Sequence, residues 1–308
     1  MEKHSKASYE VAVVGLDLSE MDDRVIEYVG ILNRSLPFRK IIFVHIIEEQ
    51  DLPNKVLEQY PSLAVPFDEG ISMGIERKVA PIFESSETQY DLIVKQGSPV
   101  ESFLKVSKDH DADLVIMGRK KSLEGSGLLS GQIVRKSPAS ILFVTETFQS
   151  TLKDILLPID FSRHSATAYH LARQFKSQGN AQIRFSHIYS VPIGYYKTGK
   201  SYHEFAEIMK QHAMHDLTLF SRKNEIEDSL KCEYLLAGKG SKAQLIYNHA
   251  HETGADLILI GSRGRTVTSA LLIGSIVEKL LQIDVDIPIL VVKNKGENMG
   301  FFGALMRI

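Results

Sequence analysis

The sequence predicts an α/β protein made of two tandem, doubly wound domains with parallel sheets. Three observations predict it. The chain matches itself when slid by 143 residues. Short apolar β-rich runs alternate with longer helical patterns in both copies, as expected of a parallel sheet covered on both faces. An apolar run, Ala255–Ile260, ends in Gly261-Ser-Arg-Gly264, and nine residues later comes Gly274-Ser275. A buried strand that ends in glycines and leads into a helix start is a place where free backbone N–H groups can hold phosphate.

The repeat sets the elements. Asp17 lands on Asp160, Gly97-Ser98 on Gly240-Ser241, Ala112–Gly118 on Ala255–Gly261, and Gly131 on Gly274. His45 and His187 fall one residue out of step, and five extra residues precede the last apolar run of the second copy. A period this long marks a duplicated domain, since solenoid units are much shorter. Strands are predicted at 10–16, 40–47, 91–96, 113–118 and 140–145, then at 154–159, 182–189, 232–237, 256–261 and 287–292. Amphipathic stretches at 165–178, 202–222, 242–252 and 270–281 supply helices between strands of the second copy. The polar stretch Thr147–Thr151 divides the copies, so the predicted domains are 1–148 and 149–308.

Composition narrows the function classes. The 308 residues are 44% hydrophobic and 24% charged, with a formal net charge of −2. That balance gives no electrostatic footprint for nucleic acid, and Arg119-Lys120-Lys121 reads as solvated loop. The one cysteine, Cys232, allows no internal disulfide. It starts a predicted strand and reads as a small packed residue. The polar N-terminus does not look like a signal peptide, and no apolar run approaches the ~20 residues that span a bilayer. The expected location is the cytoplasm.

In an open α/β sheet, ligands sit beyond the carboxyl ends of the strands where the winding reverses. Asp160-Phe-Ser162 ends the first strand of the second copy and Gly261-Ser-Arg-Gly264 ends the fourth. If those strands are neighbours, carboxylate and glycine loop flank one crevice. Asp160 can then accept from a base or sugar, the loop can hold phosphates, and Ser275 can add a hydroxyl. Arg263 and Arg265 can offset phosphate charge, although two exposed arginines in a glycine turn are often only solvated. Asp-x-Ser after a strand is equally an ordinary helix N-cap. A second phosphate motif competes. Gly194-Tyr-Tyr-Lys-Thr-Gly199-Lys200-Ser201 fits the P-loop pattern, yet Pro192 separates it from its strand and no later strand ends in a magnesium-holding Asp. A milder reading lays this loop over the crevice with Lys200 near the phosphates.

At Asp160, Gly261, Gly264, Gly274 and Ser275 the chain resembles the universal stress protein family, whose pattern is Gly-x2-Gly-x9-Gly-(Ser/Thr) with an Asp ending the first strand. The resemblance runs through about 9–146 and 152–293 and marks a tandem member. It implies a Rossmann-like sheet in order 3-2-1-4-5 in each domain and ATP as ligand, with phosphates on the glycine loop. It also implies a divalent ion, magnesium or manganese, on those phosphates, and Ile188 against adenine. Pairing of fifth strands across a pseudo-two-fold is implied too, here within one chain and open to a further homodimer. The first copy departs from the pattern. Lys121 replaces the second glycine and Gln132 the hydroxyl residue after Gly131. A side chain where the backbone should meet phosphate blocks the approach, so this copy is expected to be a structural or regulatory partner.

The remaining candidates read as structure. His212 and His215 lie three apart on a predicted helix, without a ligand set shared with His203, His249 or His251. His45 and His187 close buried strands as satisfied core residues. The tail 300–308 packs on its own domain or meets a partner. The predicted function is therefore ATP binding in a stress-response regulator with protein partners the sequence does not name. The alternatives are a slow ATPase or nucleotidyl transferase, for which no catalytic residue can be named, and a nucleotide-free scaffold.

Overall fold

The computed structural model describes residues 9–48, 68–120, 126–227, 230–238, 240–264, 273–283 and 286–295. In the first half, strands β1 (Val11–Leu16), β2 (Lys40–Ile47), β3 (Gln89–Gln96), β4 (Leu114–Arg119) and β5 (Ser140–Thr145) alternate with helices α1 (Met21–Ser35), α2 (Asp68–Phe83), α3 (Pro99–Asp109) and α4 (Ser126–Lys136). The second half repeats the plan with β6 (Asp154–Pro158), α5 (Arg163–Gly179), β7 (Gln182–Tyr189), α6 (Tyr202–Lys223), β8 (Cys232–Leu236), α7 (Lys242–Glu252), β9 (Leu257–Gly261), α8 (Ser275–Leu280) and β10 (Ile289–Val292). Predicted strand positions hold to within two residues. The predicted helix at 270–281 falls partly outside the described residues.

All ten strands form one sheet, ordered β3-β2-β1-β4-β5-β10-β9-β6-β7-β8. Each half has the expected 3-2-1-4-5 order. Neighbours within a half are parallel, whereas β5 and β10 are antiparallel, with Leu142 opposite Leu290. Side chains alternate across the strands. Ala12 and Val14 face a core packed by α1, α2, α5 and α6, and Val13 faces one packed by α3, α4, α7 and α8. Each buried Val, Leu or Ile contributes about 1.5–3 kcal/mol relative to exposure, which explains the apolar strand runs.

The repeat survives in backbone detail. Leu18 and Phe161, 143 apart, both take left-handed φ values of 61° and 63°, and Asp111 and Gly254 do the same at 51° and 66°. The Ala-Asp-Leu match also acquires a cause. Asp113 Oδ2 accepts from the N–H groups of Glu10 and Val11 at 2.9 and 3.0 Å, and Asp256 Oδ2 accepts from those of Lys153 and Asp154 at 2.7 and 3.0 Å. One carboxylate thus pins the start of the neighbouring strand in each half. This is a charge-assisted role that the matched residues alone did not disclose.

Candidate functional site

β6 and β9 are neighbours, with Ile155 opposite Leu257 and Leu156 opposite Ile258. Asp160 and the loop at 261–264 therefore leave the sheet side by side. The chain turns sharply at Phe161, and its ring stacks on His187 with centroids 4.3 Å apart. Asp160 Oδ1 accepts from Ser162 N at 3.0 Å and from Ser165 Oγ at 2.8 Å. Ser162 caps α5 by accepting from Ser165 N at 3.2 Å. The helix-cap reading is correct for Ser162, and one oxygen of Asp160 holds the turn. The other oxygen faces the glycine loop: a Cβ on Gly264 would sit 2.8 Å from Asp160 Oδ2.

The loop is fixed by its backbone. Ser262 donates its N–H to Val292 O at 2.9 Å, and Gly274 donates to Ser262 O at 2.9 Å. Gly274 starts α8 without any side-chain cap, and Ser275 is exposed at the first helical position. Gly261 has a reason of its own. A Cβ there would meet the His164 backbone carbon and oxygen at 2.8 Å, so strand–helix packing alone already requires glycine here. Gly118 has the same role in the first half, where a Cβ would meet Met21 Cγ at 2.5 Å. Arg263 departs from the expected exposed arginine, being only 7% exposed.

Ile188 is half-buried on β7 opposite Leu235. It faces the sheet side covered by α7 and α8, the same layer as Ser275. His187 Nδ1 lies 2.8 Å from Ile159 O, and His45 Nδ1 lies 3.0 Å from Leu16 O. Both are satisfied residues that tie a second strand to the end of the first. Among the predicted site residues, Asp160 lies beside Gly264, and Gly274 lies beside Arg263 and Gly264, with Gly261 and Ser275 adjoining them in sequence and Ile188 on β7, which pairs with β6. Arg265 lies outside the described residues.

The first half fills its corresponding place with its own charges. Lys120, the counterpart of Arg263, puts Nζ 3.1 Å from Asp17 Oδ2. Asp22 stands where Ser165 stands, accepting from the N–H groups of Asp17 and Leu18 at 3.0 and 2.9 Å. Burial pushes its carboxyl up to about 6. Lys121 lies outside the described residues. The Asp17–Lys120 pair was not anticipated from sequence, although the 143-residue offset placed the two residues in equivalent positions.

The P-loop reading is not supported. Residues 195–198 form a 3-10 turn whose amides are used locally: Lys197 N donates to Gly194 O at 3.0 Å and Gly199 N to Tyr196 O at 3.2 Å. Ser201 is committed to a capping box with Glu204. A phosphate cradle needs those amides and that hydroxyl free. Lys200→Ala is accordingly expected to leave nucleotide affinity within about twofold, a fraction of a kcal/mol, when measured by calorimetric titration.

His203, His212, His215 and His251 are exposed, while His249 is buried and lies 3.7 Å from Glu233 Oε2. No group of three His, Cys, Asp or Glu is placed to hold a metal among the described residues. Burial pushes the Cys232 thiol up to about 12, which suits a packed residue and not a nucleophile. Among the described residues, no helix is long and apolar enough to cross a membrane. The tail at 300–308 lies outside the described residues.

Comparison with known proteins agrees with this architecture. The family model described as "Universal stress protein family" matches residues 8–145 and again 151–293. A universal stress protein of Methanocaldococcus jannaschii is 28% identical over 158 residues, covering 47% of this chain and 96% of that one. A Bacillus subtilis universal stress protein is 30% identical over 146 residues, covering 45% and 97%. The crystal structure of a universal stress protein from Archaeoglobus fulgidus superposes with a TM-score of 0.65 at 17% identity, over 93% of this chain and 97% of that chain.

Proposed function

The chain belongs to the universal stress protein family over both halves, and from that premise we propose that it is an ATP-binding regulator of the stress response with one nucleotide site, in its second half. Its domains are 1–148 and 149–308, and its working location is the cytoplasm. The observation that carries this reading is the contact between Gly264 and Asp160. Asp160 Oδ2 lies 2.8 Å from where a Gly264 Cβ would be, so a bare backbone and a carboxylate meet beyond the carboxyl ends of β6 and β9. The ribose or base end of the nucleotide meets Asp160 and Ile188. The phosphates meet the Gly261–Gly264 loop, Gly274 and Ser275, with the positive field of Arg263 behind them. Magnesium or manganese would be carried on the phosphate oxygens.

The first half is the regulatory or structural partner. Its Asp17 is engaged by Lys120, which leaves the equivalent crevice neutralised from within. Mass spectrometry of ligand released by denaturing the purified protein tests the reading. Adenine nucleotide at close to one per chain is the expected result. A ligand-free protein that also fails to bind added Mg·ATP or cAMP would leave only the scaffold.

A further inference from the structure

The seam between β5 and β10 uses the fifth strand of each half, so the sheet ends at β3 on one side and at β8 on the other. The edge at β3 is long and regular. Its eight residues, Gln89–Gln96, pair with β2 in unbroken parallel register. Gln89 donates its N–H to Arg39 O at 3.1 Å, and Gly97 donates to Ile47 O at 3.0 Å. Odd-numbered residues of β3 therefore turn their backbone groups toward β2, and Tyr90, Leu92, Val94 and Gln96 turn theirs to the open edge. Leu92, Ile93 and Val94 are only half-buried. Met73 of α2, which lines the same groove, is 58% exposed. An apolar edge of this length is a template for another strand.

Two charges stand on that edge, Asp91 and Lys95. Asp91 pairs with Lys40 at 2.5 Å, and its side chain remains 50% exposed. Lys95 is exposed and has no ion-pair partner among the described residues. A lone lysine on an edge deters pairing, but the spacing of these two charges selects a partner. An antiparallel strand of identical sequence must match outward residues with outward residues, so its two-fold axis passes through a residue and not between two. With the axis at Ile93, Leu92 exchanges both backbone hydrogen bonds with Val94 of the second copy, and Tyr90 does so with Gln96. Asp91 then faces Lys95 on either side of the axis. Both pairs fall at non-hydrogen-bonded positions, where Cα atoms approach to about 4.5 Å. An axis at Leu92 or Val94 would instead set Asp91 against Ile93 or Gly97. The other edge offers no such match: an axis at Tyr234, the centre of β8, sets Glu233 against Leu235.

We infer that β3 is a self-complementary edge through which two copies of the chain join their sheets, two-fold about Ile93. The partner is a second copy because one patch supplies both members of each Asp91–Lys95 pair, as an isologous interface requires. The surface offered by one strand pair and the flanking α2 helices is modest, so the dimer is a weak one. This inference is independent of the nucleotide site.

Sedimentation equilibrium of the full chain from about 10 µM to about 1 mM reads the association directly. The wild type is expected to pass from monomer to dimer over that range. Asp91→Lys and Lys95→Asp each set like charges opposite one another, and each is expected to weaken association at least about tenfold. Mixing the two variants is expected to restore the dimer, because every lysine then faces an aspartate. A folding defect in either variant would not be repaired by mixing. A wild type still monomeric at about 1 mM, variants that dimerise like the parent, or a mixture no better than its components would overturn the pairing. Growth past the dimer would overturn it too, as the open-ended array made when β3 docks on β8.

Discussion

Gly264→Lys is expected to lower nucleotide affinity at least about a hundredfold, or ~2.7 kcal/mol, while the protein stays folded. Gly264 does not occupy the left-handed region, and the constraint on it is contact: a Cβ would sit 2.8 Å from Asp160 Oδ2. A lysine there must displace the carboxylate or the loop, and its ammonium is then within reach of Asp160. The crevice loses its acceptor and its bare backbone together. Gly264→Ala removes only the room and should cost about tenfold, ~1.4 kcal/mol. Titration with a fluorescent ATP analogue measures both, and circular dichroism melts should place the variants within about 3 °C of the parent. If Gly264→Lys binds as tightly as the parent, the phosphates are not on this loop.

Gly261→Ala is the substitution expected to cost most in stability, about 2–3 kcal/mol as overpacking and a drop of about 5–10 °C in Tm. The added methyl group meets backbone atoms of His164 at 2.8 Å, and backbone at the start of α5 yields only if the helix moves. The paired test is Gly118→Ala, where the nearest atom is Met21 Cγ at 2.5 Å. That distance is shorter, and Val25 Cγ2 follows at 3.1 Å, but these are side-chain atoms rather than helix backbone, so a smaller loss of about 1–2 kcal/mol is expected. Urea denaturation of the two variants decides between the arguments. Equal losses, or a larger loss at Gly118, would show that the spacing between strand and α5 does not set the requirement at Gly261.

Most of the architecture was legible in the sequence because buried parallel strands must be apolar and because the repeat supplied every element twice. The neighbours β6 and β9, and hence the meeting of Asp160 with the glycine loop, followed from the sheet order that the family resemblance implied. What escaped were relations between side chains far apart in the chain. The packing demand on Gly261 was hidden because a pattern records which residue is present and not what presses on it. Arg263 looked solvated because its neighbours in sequence are glycine and serine, whereas its burial comes from the fold around it. The P-loop match at 194–201 failed because its amides and Ser201 close on local partners, a choice of geometry that composition does not reveal.

The antiparallel seam between β5 and β10 has a consequence for evolution of the two halves. A symmetric pair of identical subunits must keep both pockets or lose both, because one gene writes each copy. Joined through their fifth strands in a single polypeptide, the partners are free to diverge. One half can set a lysine against its Asp17 while its twin keeps Gly264 against Asp160, a difference that two copies of one gene product could not carry.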